Sequence, residues 1–233
     1  MTNNHNMRLF GRVVKWSMSL LLCVICGILL WRVFSSGDPD EVKYLMGNDA
    51  LYEAYDEHGK NLVLQYQMQD TITLAEYNRG YFSITQYVFI PEAKQVQLVF
   101  RYNNSTIEHL ARDYGLDAVP DKSEELFDLT LVTTKDLTPD NQEDNEDEGC
   151  LAMERYYPTT AIRTETSLYT YYRFVFDNVE VTPDMLYVFA DIYYKGDLDY
   201  EKRAYGTLCL YDDASLWVDY KLSRTERKML KDN

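Results

Sequence analysis

The chain has 233 residues, and its 38 Asp and Glu outnumber its 23 Lys and Arg, for a formal net charge of −15. Only Arg8, Arg12, Lys15 and Arg32 are charged among the first 37 residues, so the body that follows carries a net charge of −19. A body so acidic is repelled by phosphate backbones and anionic lipid faces, which argues against a nucleic-acid partner and for solubility.

Taken in chain order, a cytoplasmic head (1–15) precedes one long apolar run from Trp16 to Trp31. As a helix that run is about 24 Å long, and extending it to Val13 and Phe34 makes it long enough for a bilayer core of roughly 30 Å. Lys15 and Arg32 are then placed to snorkel to the two interfaces, and Trp16 and Trp31 sit where interfacial aromatics are expected. The basic residues before the run and Asp38, Asp40 and Glu41 after it predict a cytoplasmic N-terminus and an extracytoplasmic body. A cleaved signal would use Val33-Phe34-Ser35, which follows Arg32 and an apolar region long for a signal. A bacterial lipid anchor would need a small residue before its cysteine, and Leu22 and Ile25 precede Cys23 and Cys26. An uncleaved signal-anchor over 16–34 is the expectation.

Residues 35–49 read as a juxtamembrane stem, with Asp38, Pro39 and Glu41 opening a short helix that ends near Gly47. The main domain is expected over 50–222. Leu51 to Tyr55 leads into a turn around Gly59, and Leu62, Leu64, Tyr66 and Met68 alternate with Val63, Gln65, Gln67 and Gln69, which favours a hairpin over a helix at 49–57. Strands are predicted from Tyr81 to Ile90 and, after Pro91–Lys94, through Val96, Leu98, Phe100 and Tyr102, with Gln97, Val99, Arg101 and Asn103 on the second face. Ser105 to Glu108 forms a capping-box pattern for a helix ending at Gly115, with a crossover role between sheet layers. Phe127, Leu129 and Leu131 alternate as a further strand. The acidic loop 136–149 has no aliphatic or aromatic residue after Leu137 and should be solvated. Strands follow at 168–176, 186–194, 207–211 and 217–222. Residues 223–233 read as a short basic helix opened by a Ser223–Glu226 capping box.

Turns every 8–15 residues, with no helix long enough for regular βαβ crossovers, predict a mainly β fold. The expected architecture is an N-terminal transmembrane helix and an antiparallel β-sandwich, immunoglobulin-like or similar, with two or three short helices. All 21 tyrosines lie in the body, in keeping with pleated, half-buried surfaces.

Chemistry-bearing patterns are sparse. Cys23 and Cys26 sit in the apolar run, the wrong context for a redox pair. A Cys150–Cys209 disulfide would close a loop of about 60 residues and add about 4 kcal/mol in chain-entropy terms. Two free thiols are the alternative. His58 and His109 have no cysteine or second histidine at metal-ligand spacing, and no P-loop, G-x-S-x-G, H-E-x-x-H or G-x-G-x-x-G is present. Asp144, Glu146, Glu148 and Gly149 start an EF-hand-like pattern, but Arg155 occupies its twelfth position. Asp197, Asp199 and Glu201 offer alternating carboxylates, a weak calcium candidate against solvated charge, and no other cofactor is expected. Asn103 to Thr106 holds two overlapping glycosylation sequons that coincide with the predicted helix cap. These features favour a non-enzymatic membrane-anchored module that binds a protein or cell-envelope component. The alternatives are a hydrolase with dispersed carboxylates, tested by a pocket of perturbed titratable groups, and a glycan-binding sheet, tested by a row of exposed tyrosines.

Overall fold

The computed structural model describes residues 3–34, 37–67, 72–73, 82–134, 154–180, 187–196, 206–211 and 217–232. The chain divides at Gly37 into two compact units.

The first unit is one helix, α1 (Asn3–Phe34), with no acidic residue. Its stretch Val14–Trp31 is long and apolar enough to cross a membrane, and none of it is buried against protein. Its aliphatic and aromatic side chains are exposed all round, a pattern compatible with a membrane anchor.

The second unit, Asp38–Asn233, is mainly β, built as two antiparallel sheets. In chain order its elements are α2 (Asp40–Lys43), α3 (Asp49–His58), β1 (Gln65–Gln67), β2 (Ile72–Thr73), β3 (Phe82–Ile90), β4 (Gln95–Asn103) and α4 (Thr106–Asp113). They continue through β5 (Phe127–Thr134), β6 (Glu154–Tyr156), β7 (Thr160–Glu165), β8 (Tyr169–Phe176), β9 (Tyr187–Tyr194), β10 (Gly206–Tyr211), β11 (Trp217–Asp219) and α5 (Arg224–Met229). The larger sheet runs β11-β1-β3-β4-β8-β7, with β2 also paired to β3; the smaller runs β10-β9-β5-β6. Helix α4 carries the chain from the larger sheet to the smaller, as its position between two alternating strands suggested. Strands β3 and β4 join at Pro91–Lys94, where the Lys94 N–H donates to the Pro91 carbonyl at 3.0 Å and Lys94 adopts φ +45°.

The alternation in β4 sets the main core. Val96, Leu98, Phe100 and Tyr102 share one apolar cluster with Phe127, Leu129 and Leu131 of β5 and with Ala190 and Ile192 of β9. Phe82 and Tyr102 each set a ring edge-on to Phe127, at centroid distances of 5.0 and 4.9 Å, a favoured aromatic geometry.

The structure corrects several sequence expectations. Residues 51–55, expected as the first arm of a hairpin, lie instead in helix α3 (Asp49–His58). Its Leu51 and Ala54 are buried at helical spacing, and the Asn48 side chain caps it by accepting from the Leu51 N–H at 3.1 Å. Gly59, at φ +57°, ends this helix as its C-cap, a role that its left-handed backbone suits as well as a hairpin turn. The strand expected from Leu62 is paired only over Gln65–Gln67 among the described residues. The second face of β4, for which the alternation alone assigns no burial, is covered as well, with Gln95, Gln97 and Val99 buried. Residues 38–48 do not stand free as a stem: Val42 and Leu45 are buried in apolar clusters of the body. Asp38 makes no cap for α2. Its carboxylate accepts instead from the Thr85 hydroxyl at 2.9 Å. The Ser105 capping box does not form either. The Ser105 backbone is helical, and its hydroxyl and N–H both donate to Asn103 Oδ1 at 2.9 Å. At the C-terminus, the Ser223–Glu226 capping box is complete. Strands β6 and β7 lie in a stretch for which the sequence reading assigned no element.

Candidate functional site: an apolar helix and a buried polar seam

Lys15, Trp16, Trp31 and Arg32 all fall on α1, with Trp16 77% and Trp31 66% exposed. At 1.5 Å per residue, Lys15 and Arg32 are about 26 Å apart along the axis, close to a bilayer core thickness. Cys23 and Cys26 are free thiols on the same exposed surface.

The remaining sequence candidates are not brought together. Cys150, the acidic pattern at 144–149, and Asp197, Asp199 and Glu201 lie outside the described residues. Cys209 is on β10, where its backbone faces that of Phe189. His58 ends α3, 4.0 Å from the Glu57 carboxylate, and His109 on α4 contacts Arg112. Among the described residues, no three of His, Cys, Asp and Glu are grouped as metal ligands would be. Of the tyrosines whose side chains are described, only Tyr157 is exposed, so these residues offer no flat aromatic row. In the sequons, the Asn104 amide is engaged at both ends: Nδ2 donates to the Thr166 carbonyl at 2.9 Å, and Oδ1 accepts from Thr170 Oγ1 at 2.8 Å.

What the fold does assemble is a polar seam on the face of the larger sheet turned away from the main core. Strand alternation places Gln95, Gln97, Val99 and Arg101 of β4 there, alongside Tyr171 and Arg173 of β8. Gln86 joins them from β3 because a register shift between Ile84 and Gln86 turns it to this side. Arg173 is fully buried. Its Nε and Nη2 both donate to the Val42 carbonyl, at 2.9 and 2.7 Å, its Nη1 donates to Gln97 Oε1 at 3.2 Å, and Nη2 also contacts Gln86 Oε1. Gln97 in turn holds both backbone groups of Met46, accepting from its N–H at 2.8 Å and donating to its carbonyl at 2.7 Å.

Two carboxylates close the ends of the seam. Glu226 of α5 is fully buried. Its Oε1 accepts from the Leu45 N–H at 2.9 Å and the Tyr220 hydroxyl at 2.7 Å, and its Oε2 from the Ser223 N–H at 2.7 Å. At the other end, Asp177 accepts from Gln95 Nε2 at 2.7 Å, Thr159 Oγ1 at 2.6 Å and Asn48 Nδ2 at 3.1 Å. Burial would raise the Asp177 pKa, but hydrogen bonds from Thr159, Gln95 and Asn48 outweigh it and hold the carboxyl below its ordinary range.

Arg173 hydrogen-bonds only neutral oxygens, so burial dominates and pushes its pKa down to about 10, against the attraction of Tyr220, Glu226 and Asp38. It remains charged at neutral pH. Chemically, the seam pairs donors with acceptors of the chain itself, and each carboxylate accepts from three of its groups. Its product is the docking of residues 38–48 onto the sheet.

Sequence reasoning missed this seam. Arg173 carries a signal: it is the single charge in the aromatic strand Tyr169–Phe176. The sequence marks Glu226 only as a capping residue. The chain matches no protein-family model, no curated protein and no solved structure.

Proposed function

We propose that this chain is a single-pass membrane protein whose N-terminus lies in the cytoplasm and whose body acts outside as a binding module for a protein or cell-envelope component. One observation carries the reading: the stretch Val14–Trp31 is apolar and wholly unburied, and a separate folded unit follows directly. The basic flank of Arg8, Arg12 and Lys15 and the acidic body support the orientation. We take the body to be a β-sandwich, a reading supported by the rings of Phe82 and Tyr102 from one sheet packing on Phe127 of the other. A binding role is favoured over a hydrolase because Asp177 and Glu226, the carboxylates of the seam, each accept from three groups of their own chain and so are committed to holding the fold.

The test is extraction and protease accessibility of the full chain in its native membrane. The chain should resist alkaline extraction, and external protease should digest the body while sparing an epitope on the N-terminus. Release by alkali, or a body protected from external protease, overturns the reading. Cross-linking on intact cells should then yield one reproducible envelope or protein adduct of the body, and its absence removes the binding role.

A further inference from the structure

We propose that residues 38–48 form a strap clasped onto the body by the C-terminal helix α5, so that the strap opens when α5 lets go. Four backbone groups of this strap have no ladder or helix partner and are satisfied by side chains from two separate sources. The Val42 carbonyl and both polar groups of Met46 are taken by Arg173 and Gln97 on the sheet. The Leu45 N–H is taken by Glu226 of α5, 181 residues further along the chain.

The clasp has an apolar half as well. Leu230, just past α5, is buried in the same cluster as Leu45 and Leu51. Helix α5 has only six residues. A helix that short is held by docking rather than by its own ladder. Losing it removes Glu226 and Leu230 from the strap in one step. The strands beneath are fixed independently, β4 being paired along its length with both β3 and β8. The strap therefore opens over a sheet that stays folded, baring the Arg173 guanidinium, the Gln86 and Gln97 amides, and the apolar Val99 and Tyr171. In sequence, residues 35–37 alone separate the strap from the end of α1.

Native-state hydrogen exchange on the full chain in detergent micelles tests this. In the unaltered protein, the Leu45, Met46 and Leu230 amides should share one protection level, below that of β4 and β8. Glu226→Ala should speed exchange at Leu45 and Met46 by about tenfold or more, the size expected for losing hydrogen bonds to a charged acceptor. Exchange in β4 and β8 should not move, and tryptic cleavage after the exposed Lys43 should accelerate in parallel. Tyr220→Phe removes one of the three donors to Glu226 and should give a smaller acceleration at the same amides, with no threat to folding. Strap amides as protected as those of β4 in the unaltered chain, or unchanged strap exchange in both variants, overturn the proposal.

Discussion

The two faces of the larger sheet are held by different physics. Toward the smaller sheet, Phe82, Ile84, Leu98, Phe100 and Phe174 bury carbon against carbon in one cluster. On the opposite face, Gln86, Gln95, Gln97 and Arg173 lie among Val88, Val99 and Tyr171, and the polar groups bond one another and the strap. Apolar burial is non-directional and supplies stability in proportion to area. Buried polar groups add little net stability when paired, yet leaving one unpaired is expensive, so they dictate which segment can dock. One face makes the sheet stable, and the other makes its cover specific.

Alkali breaks both faces at once and should have the largest effect. Burial raises the phenol pKa of Tyr102 and Tyr172 on the inner face and of Tyr171 and Tyr220 on the outer. Each raised pKa contributes stability that is complete below the unfolded value of 10.0 and is lost as pH climbs above it. A pH titration followed by tyrosinate absorbance and circular dichroism should therefore show these phenols ionising only as the sheet signal collapses.

Substitutions separate the faces. Phe100→Ala should destabilise the body by about 3–5 kcal/mol in urea unfolding, because it opens a cavity between the sheets. Arg173→Met keeps most of the buried volume but orphans the Val42 carbonyl, and should cost about 1–3 kcal/mol. The more telling contrast is in exchange: Arg173→Met should loosen residues 42–46 first, whereas Phe100→Ala lowers protection throughout. Ser223→Ala, which removes the α5 cap, should cost about 0.5–2 kcal/mol, with its loss of protection confined to α5 and the strap.

The apolar face was legible in the sequence, because alternation in Val96–Tyr102 and Phe127–Leu131 is a local signal. The polar face was not. Gln95 and Gln97 alternate with apolar residues just as solvent-facing side chains do, and what buries them is a strap some fifty residues away in sequence. Gly59 illustrates a second limit, since a left-handed glycine serves a hairpin and a helix C-cap equally well. The apolar spacing of Leu51 and Ala54 decided between them, and that spacing is short enough to be overshadowed by the alternation that follows. Among site residues, the helix that carries Lys15, Trp16, Trp31 and Arg32 could be read directly because an apolar run is a signal local to one segment. Arg173 and Glu226 acquire theirs only from partners that folding brings together.

The burial of Val42 and Leu45 also decides where a soluble version of the body can begin. A fragment started at residue 50 would strip the outer face of its cover, leave the Arg173 guanidinium facing water beside bare Val99 and Tyr171, and invite self-association through that face. One started at Gly37 retains the strap and its described hydrogen bonds to the sheet and to α5 while shedding the apolar helix.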